Sequence, residues 1–220
     1  MSNAIMYISL LLLATSFLAV EWRILSAAVH TYQVQSVLIA LVFALYAHSL
    51  RNEALYFWAA TVLISKGVLI PWLLRRYLLK IYAKETPPLL SAVHSHIIGL
   101  LIVLFTFHWV FAHHDQLVIL PSLTGEPFRM NLAVATSILI MGLYALVTRT
   151  DAFKIVIGLC LVENGVHLSL VSLAPSIPET ALIGVVTDVV ISVWMLLYIV
   201  AGVYRSTGSI DTLKLSQLRG

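Results

Sequence analysis

Charged side chains are scarce in this chain of 220 residues: Asp, Glu, Lys and Arg together make up 10% of it, against about 25% in soluble domains. That shortage excludes a large solvated surface. With hydrophobic residues at 60%, it leaves room for one integral membrane domain and no sizeable soluble one. Cysteine is almost missing. The single thiol, Cys160, excludes an internal disulfide, and it excludes a four-thiolate iron–sulfur cluster held by this chain alone. Redox chemistry therefore belongs to a partner if it is involved, and no cofactor or redox centre is expected here. A formal net charge of +3, with the basic residues at the ends of apolar runs, implies no nucleic-acid partner. Metalloprotease, phosphate-loop and nucleophile-elbow patterns are absent, so no catalytic residue is assigned. Internal repeats, low-complexity tracts and long charge runs are absent too.

What the chain does have is seven apolar runs long enough to cross a bilayer, which takes roughly 20 helical residues at about 1.5 Å each. The first, near Ala4 to Val20, has no basic residue ahead of it and no small-residue cleavage signature after it, and so reads as a retained helix. The others run near His30–Ser49, Asn52–Leu79, Val93–Ala112, Phe128–Thr148, Lys154–Ala174 and Ala181–Arg205. KETPP at 84–88 reads as a loop, because paired prolines disfavour helix, and 113–127 is the longest connection. The expected fold is all-α and polytopic. A four-helix segment fills 1–126, a three-helix segment 127–205, and a polar tail 206–220.

Orientation follows from Lys and Arg placement. Seven spans put Arg51 and Arg129 on the side of the N-terminus, and Arg23, Arg75, Arg76, Lys80, Lys84, Arg149, Lys154, Arg205, Lys214 and Arg219 on the other. The expectation is an outer N-terminus and a cytoplasmic C-terminus, in a multi-pass protein of the cell inner membrane.

Three charged residues, Glu163, Asp188 and Lys66, break the apolar runs. Glu163 lies 11 residues before Ala174, and Asp188 lies 10 after Pro178, which puts both about 15–17 Å below one surface. A charge at the centre of a spanning helix costs about 2.5–3.5 kcal/mol and by default marks a functional site. Two acids at mid-depth suggest a proton or ion path. His167 stands four residues after Glu163 and shares its face, where it extends the path or holds the acid. Asn164 is a candidate polar support for the helix pair, and on a purely structural reading the acid only locks helices together. Lys66 is nine residues from Arg75, about 13 Å from the basic boundary and too far for easy snorkelling. Pro71 cannot donate to the Gly67 carbonyl, so a kink and a freed backbone acceptor are expected beside Lys66. The remaining histidines point less clearly to function. His94 and His96 fall on different helix faces, His48 and His108 lie near outer helix ends, and His113, His114 and Asp115 read as a solvated loop. No metal site is assigned.

GLCLVENGVHL (158–168), GVVTD (184–188) and the tail GSIDTLKLSQLRG (208–220) resemble component E of the Hyf-type membrane-bound hydrogenase, hydrogenase 4. LISKGVLIPWLL (63–74) and YQVQS (32–36) resemble that family's third and second helices. The family is related over its last three helices to the K subunit of respiratory complex I and the C subunit of multisubunit cation/proton antiporters. The resemblance implies a non-catalytic membrane subunit of a nickel–iron hydrogenase or formate hydrogenlyase built on the complex I plan. Its partners would be antiporter-like and complex I-like membrane subunits, peripheral hydrogenase and iron–sulfur subunits, and the lipid bilayer. It further implies proton translocation through Glu163, Asp188, Lys66 and His167. One position departs from the complex I pattern: the acid that follows Gly-Leu there is Cys160 here, and Glu163 stands three residues on, about one helical turn away. An antiporter or dehydrogenase module without hydrogenase, and a non-transporting scaffold, are the alternative readings.

Overall fold

Residues 2–80, 90–117, 125–175 and 179–212 are described by a computed structural model. Every long element in them is helical. They are α1 (Ser2–Glu21), α2 (Leu25–Leu50), α3 (Glu53–Val62), a wide-turn π segment (Leu63–Leu69), α4 (Ile70–Lys80), α5 (Ala92–Leu117), α6 (Glu126–Thr148), α7 (Ala152–Leu173) and α8 (Glu179–Thr207). Since α3, the π segment and α4 run on as one rod, seven helices among the described residues are long and apolar enough to cross a membrane. The 84–88 loop, residues 118–124 of the 113–127 connection and residues 213–220 lie outside the described residues.

Local chemistry explains where the rods begin. The Asn52 side chain accepts from the Ala54 N–H at the start of α3, at 3.0 Å, and Asp151 does the same for Phe153 and Lys154 at the start of α7. Each side chain satisfies a backbone donor that has no partner inside its helix. Pro127, in the first turn of α6, has no N–H to leave unpaired.

The helix ends gather into two groups. At one end Asn52 Nδ2 donates to Pro175 O at 3.0 Å, Tyr46 Oη donates to Pro127 O at 3.0 Å, and Asn131 links Ser9 of α1 to Ser172 of α7. At the other, Lys154 Nζ donates to Trp22 O at 2.6 Å, and Arg149 meets both Glu21 of α1 and Ser95 of α5. The connections alternate between ends as seven crossings require. Arg23, Arg75, Arg76, Arg149, Lys154 and Arg205 share the second end, since α8 finishes there and residues 210–212 return to it.

Helices α6 and α7 lie in close contact along their length, with α1 and α2 completing the core around Tyr32, Phe43, Ile138, Ile157 and Leu161. The outer helices α5 and α8 leave Leu100, Leu101, Leu104, Phe105, Trp194, Met195 and Tyr198 exposed, the apolar surface that a bilayer or a neighbouring membrane subunit covers.

One expectation is corrected here. Helix α5 runs on to Leu117, so His113, His114 and Asp115 are helical and His114 is buried. The cause is packing: His114 stands one turn beyond Val110, on the face that meets Leu132 and Ala133 of α6. The start of the polar tail packs against the helices. Ile210 is buried, Ala152 N–H donates to Ile210 O, and Thr212 N–H donates to Thr150 O at 2.9 Å. That docks it on the α6–α7 connection.

Candidate functional site

The site begins with a defect in a helix. Through Leu63–Leu69 the backbone opens into π turns, and Ile70 N–H reaches back five residues to Ser65 O. Pro71 has no N–H for the carbonyl one turn behind it, so the Gly67 carbonyl needs a donor from elsewhere. Gln33 of α2 supplies it, with Nε2 at 3.0 Å from Gly67 O. The amide oxygen of Gln33 in turn accepts from Arg75 Nη2 at 2.6 Å, and the same guanidinium lies 3.4 Å from His30 Nδ1. Wide turns of this kind are uncommon and concentrate at functional sites.

Lys66 sits in that defect, thirteen residues from either end of the Glu53–Leu79 span, and it is fully buried. Its ammonium crosses to the middle of α7. Nζ donates to Asn164 Oδ1 at 3.0 Å and to His167 Nδ1 at 2.6 Å, and lies 3.1 Å from Glu163 Oε2. His167 Nδ1 is 3.9 Å from Glu163 Oε1, and its ring stands edge-on to Trp58 with centroids 5.7 Å apart. Because Nδ1 accepts from Lys66, the His167 proton belongs on Nε2.

The three partners of Lys66 are not held alike. Asn164 and His167 take its aligned N–H directions, whereas neither Glu163 oxygen is in an aligned hydrogen bond with a described residue. Glu163, 3.1 Å from the ammonium, is thus its charge partner and the least well aligned of the three. It is also the least enclosed member, at 9% exposure against 0% for Lys66, Asn164 and His167. A carboxyl so placed can change its proton or its partner without unlocking the rest. The directed bonds of Asn164 and His167, meanwhile, fix where the ammonium stands.

A polar row continues sideways from the cluster. Asn164 Nδ2 is 3.5 Å from Gln35 Oε1, and Gln35 Nε2 donates to Ser16 Oγ on α1 at 2.5 Å. Of the sequence candidates, the fold brings together Glu163, His167, Asn164 and Lys66. Asp188 lies on α8, nine residues past Glu179, and its side chain is outside the described residues. Among the described residues, no three His, Cys, Asp or Glu side chains are grouped as metal ligands.

Sequence reasoning missed Gln33, Gln35 and a second buried pair. Arg149 Nη2 lies 2.5 Å from Glu21 Oε1. Ser95 Oγ donates to the same carboxylate and accepts from Tyr144 Oη at 2.8 Å. Both charges stand at helix ends, where solvated boundary residues are the ordinary expectation, so the pattern gave no signal of burial.

Comparison with known proteins finds two similarities. Residues 130–220, which hold α6, α7, α8 and the tail, match the family model of NADH-ubiquinone/plastoquinone oxidoreductase chain 4L. Over nearly its full length the chain is similar to Hydrogenase-4 component E of Escherichia coli (strain K12), with 29% identity over 212 residues, covering 96% of this chain and 94% of the relative. The same figures hold for Hydrogenase-4 component E of Escherichia coli O157:H7 and of Shigella flexneri. The resemblance read from GLCLVENGVHL, GVVTD and the tail is thereby borne out. No solved structure matches.

Proposed function

We propose that the chain is a membrane subunit of a complex I-like nickel–iron hydrogenase or formate hydrogenlyase, and that it helps move protons across the membrane as partner subunits carry out redox chemistry. The observation that carries this reading is the Lys66–Glu163 pair at mid-depth, 3.1 Å apart, with Lys66 fully buried and Glu163 nearly so. A lysine and a glutamate buried together in a span are costly, and they are retained where charge or protons must move. Glu163 is the exchanging carboxyl, Lys66 the charge that responds to it, and His167 and Asn164 hold the lysine. Asp188 is assigned to the same path from its depth in α8. No electron-carrying group is assigned to this chain; hydrogenase and iron–sulfur subunits supply them.

Similarity to Hydrogenase-4 component E supports the choice of complex over an antiporter module, because it extends through the four N-terminal spans as well as the three-helix unit. Extraction in mild detergent tests it. The chain should co-migrate with several larger membrane and peripheral subunits, and the band should oxidise hydrogen with an artificial electron carrier. Isolation as a stable lone monomer would overturn the assignment. One observation favours a scaffold reading: Asn164 and His167 bridge Lys66 to α7 without needing Glu163 to titrate.

Orientation is part of the proposal. The end that collects Arg23, Arg75, Arg76, Arg149 and Lys154 faces the cytoplasm, in the inner membrane. A reporter fused after Gly220 should read cytoplasmic and one before Met1 external. The reverse pattern would refute the orientation.

A further inference from the structure

The π segment that carries Lys66 is held from outside its own helix. Three observations meet there: a proline at 71 that leaves Gly67 O without its intrahelical donor, Gln33 Nε2 at 3.0 Å from that oxygen, and Arg75 Nη2 at 2.6 Å from the other end of the same amide. Gly67 is the residue next to Lys66, and Arg75 stands one turn beyond Pro71 at the exposed end of the rod. From this juxtaposition we infer that Gln33 is a positioning residue: bridging Arg75 and the Gly67 carbonyl, it holds the π segment open so that Lys66 stays aimed at Glu163. The inference rests on the proton-moving reading of that pair.

The physical reason is that a π turn is a strained choice for a backbone that could rewind. Each residue of rewinding turns the following side chains by about 100°, enough to swing Lys66 off α7. While Pro71 stands, rewinding offers the Gly67 carbonyl no N–H, so a side-chain amide that satisfies it pins the segment in place; without that amide the backbone must shift to find another donor, since an unpaired backbone group at this depth is costly. Gln33 is suited to the task because one end donates and the other accepts. Arg75 makes the amide's orientation definite, because only its oxygen can face a guanidinium.

The test uses the whole complex in sealed membrane vesicles, reading hydrogen oxidation with an artificial carrier beside protons pumped per electron. Gln33→Leu removes both bonds. Gln33→Glu keeps the size and the Arg75 contact but cannot donate to Gly67 O. Both are expected to keep hydrogen oxidation while the pumping ratio falls on the order of tenfold or more, the scale on which misplacing a reacting group acts. Pro71→Ala then separates positioning from stability, because an alanine, unlike the proline, offers Gly67 O a backbone N–H and lets the segment rewind. Gln33→Leu combined with Pro71→Ala should recover the amount of complex without recovering pumping, and it supplies the measurement if Gln33→Leu alone does not assemble. Wild-type pumping in Gln33→Leu or Gln33→Glu would overturn the inference, as would pumping that returns with yield in the double variant. Glu163→Gln in the same vesicles keeps the two readings apart. Pumping retained there defeats the proton reading itself, whereas pumping lost there and kept in the Gln33 variants defeats only the role of Gln33.

Discussion

Vesicles carrying Glu163→Gln should oxidise hydrogen with an artificial carrier at the wild-type rate and pump no protons. Glutamine matches glutamate in size and keeps an oxygen beside Lys66, so what is lost is the charge and the titrating group. Removing one partner of a buried ion pair often costs about 3–5 kcal/mol, because the other charge is stranded. Here Lys66 keeps Asn164 at 3.0 Å and His167 at 2.6 Å, so the ammonium is not stranded and assembly should survive. Lys66→Met should also uncouple, with a heavier penalty, since it leaves Glu163 as a buried acid without its cation. Asp188→Asn should lose pumping too, and the double change with Glu163→Gln should be little worse than either alone, as expected of groups in one path. On the scaffold reading the result reverses: Glu163→Gln is silent and Glu163→Leu impairs assembly. An intact Glu163→Gln complex that pumps normally would decide for the scaffold.

Residues that can be read without knowing their neighbours were legible in the sequence. Seven apolar runs, the depth of Glu163 and the isolation of Lys66 follow from spacing along single helices. So does the orphaned Gly67 carbonyl, because proline chemistry is local to Pro71. Which side chain answers that carbonyl is another matter. Gln33 sits amid an apolar helix and becomes meaningful only once α2 is known to lie against the π segment. The same holds for Gln35, which needs both α1 and α7 beside it. Glu21 and Arg149 misled for a different reason: 128 positions separate them, and each alone looks like an ordinary boundary charge. His114 was misread because the helix was ended too early; the burial of its face is set by α6, which no periodicity in α5 announces.

Replacing Gly165 by Val should keep the subunit from accumulating in the membrane at all. Glycines in GLCLVENG belong to the motif that carries the family resemblance, yet their purpose is visible only where α6 and α7 meet. A Cβ on Gly165 would lie 2.6 Å from Leu139 N, 2.7 Å from Leu139 Cβ and 2.8 Å from Ala135 O; a Cβ on Gly142 would lie 2.6 Å from Val162 N. These obstacles include main-chain atoms of the facing helix, so no rotamer change relieves them. Close approach through small residues is how spanning helices gain contact when apolar burial gives no net drive between them. It is also what sets α7 in the position from which Glu163, Asn164 and His167 reach Lys66. Overpacking costs typically about 1–3 kcal/mol and more where the backbone must move, and valine adds two methyls beyond the Cβ that already clashes. Gly165→Ala should give an intermediate: complex forms in reduced amount, melts earlier in detergent, and pumps poorly because α7 has been pushed off α6. Gly202→Ala is the control, since a Cβ there meets nothing within 4 Å, and it should leave amount, melting and pumping unchanged. Quantifying the subunit in membranes, with thermal solubility measured on the same samples, decides the matter. Wild-type amounts of Gly165→Val would mean that α6 and α7 do not meet at this glycine, and the geometry that aims α7 at Lys66 would fall with it.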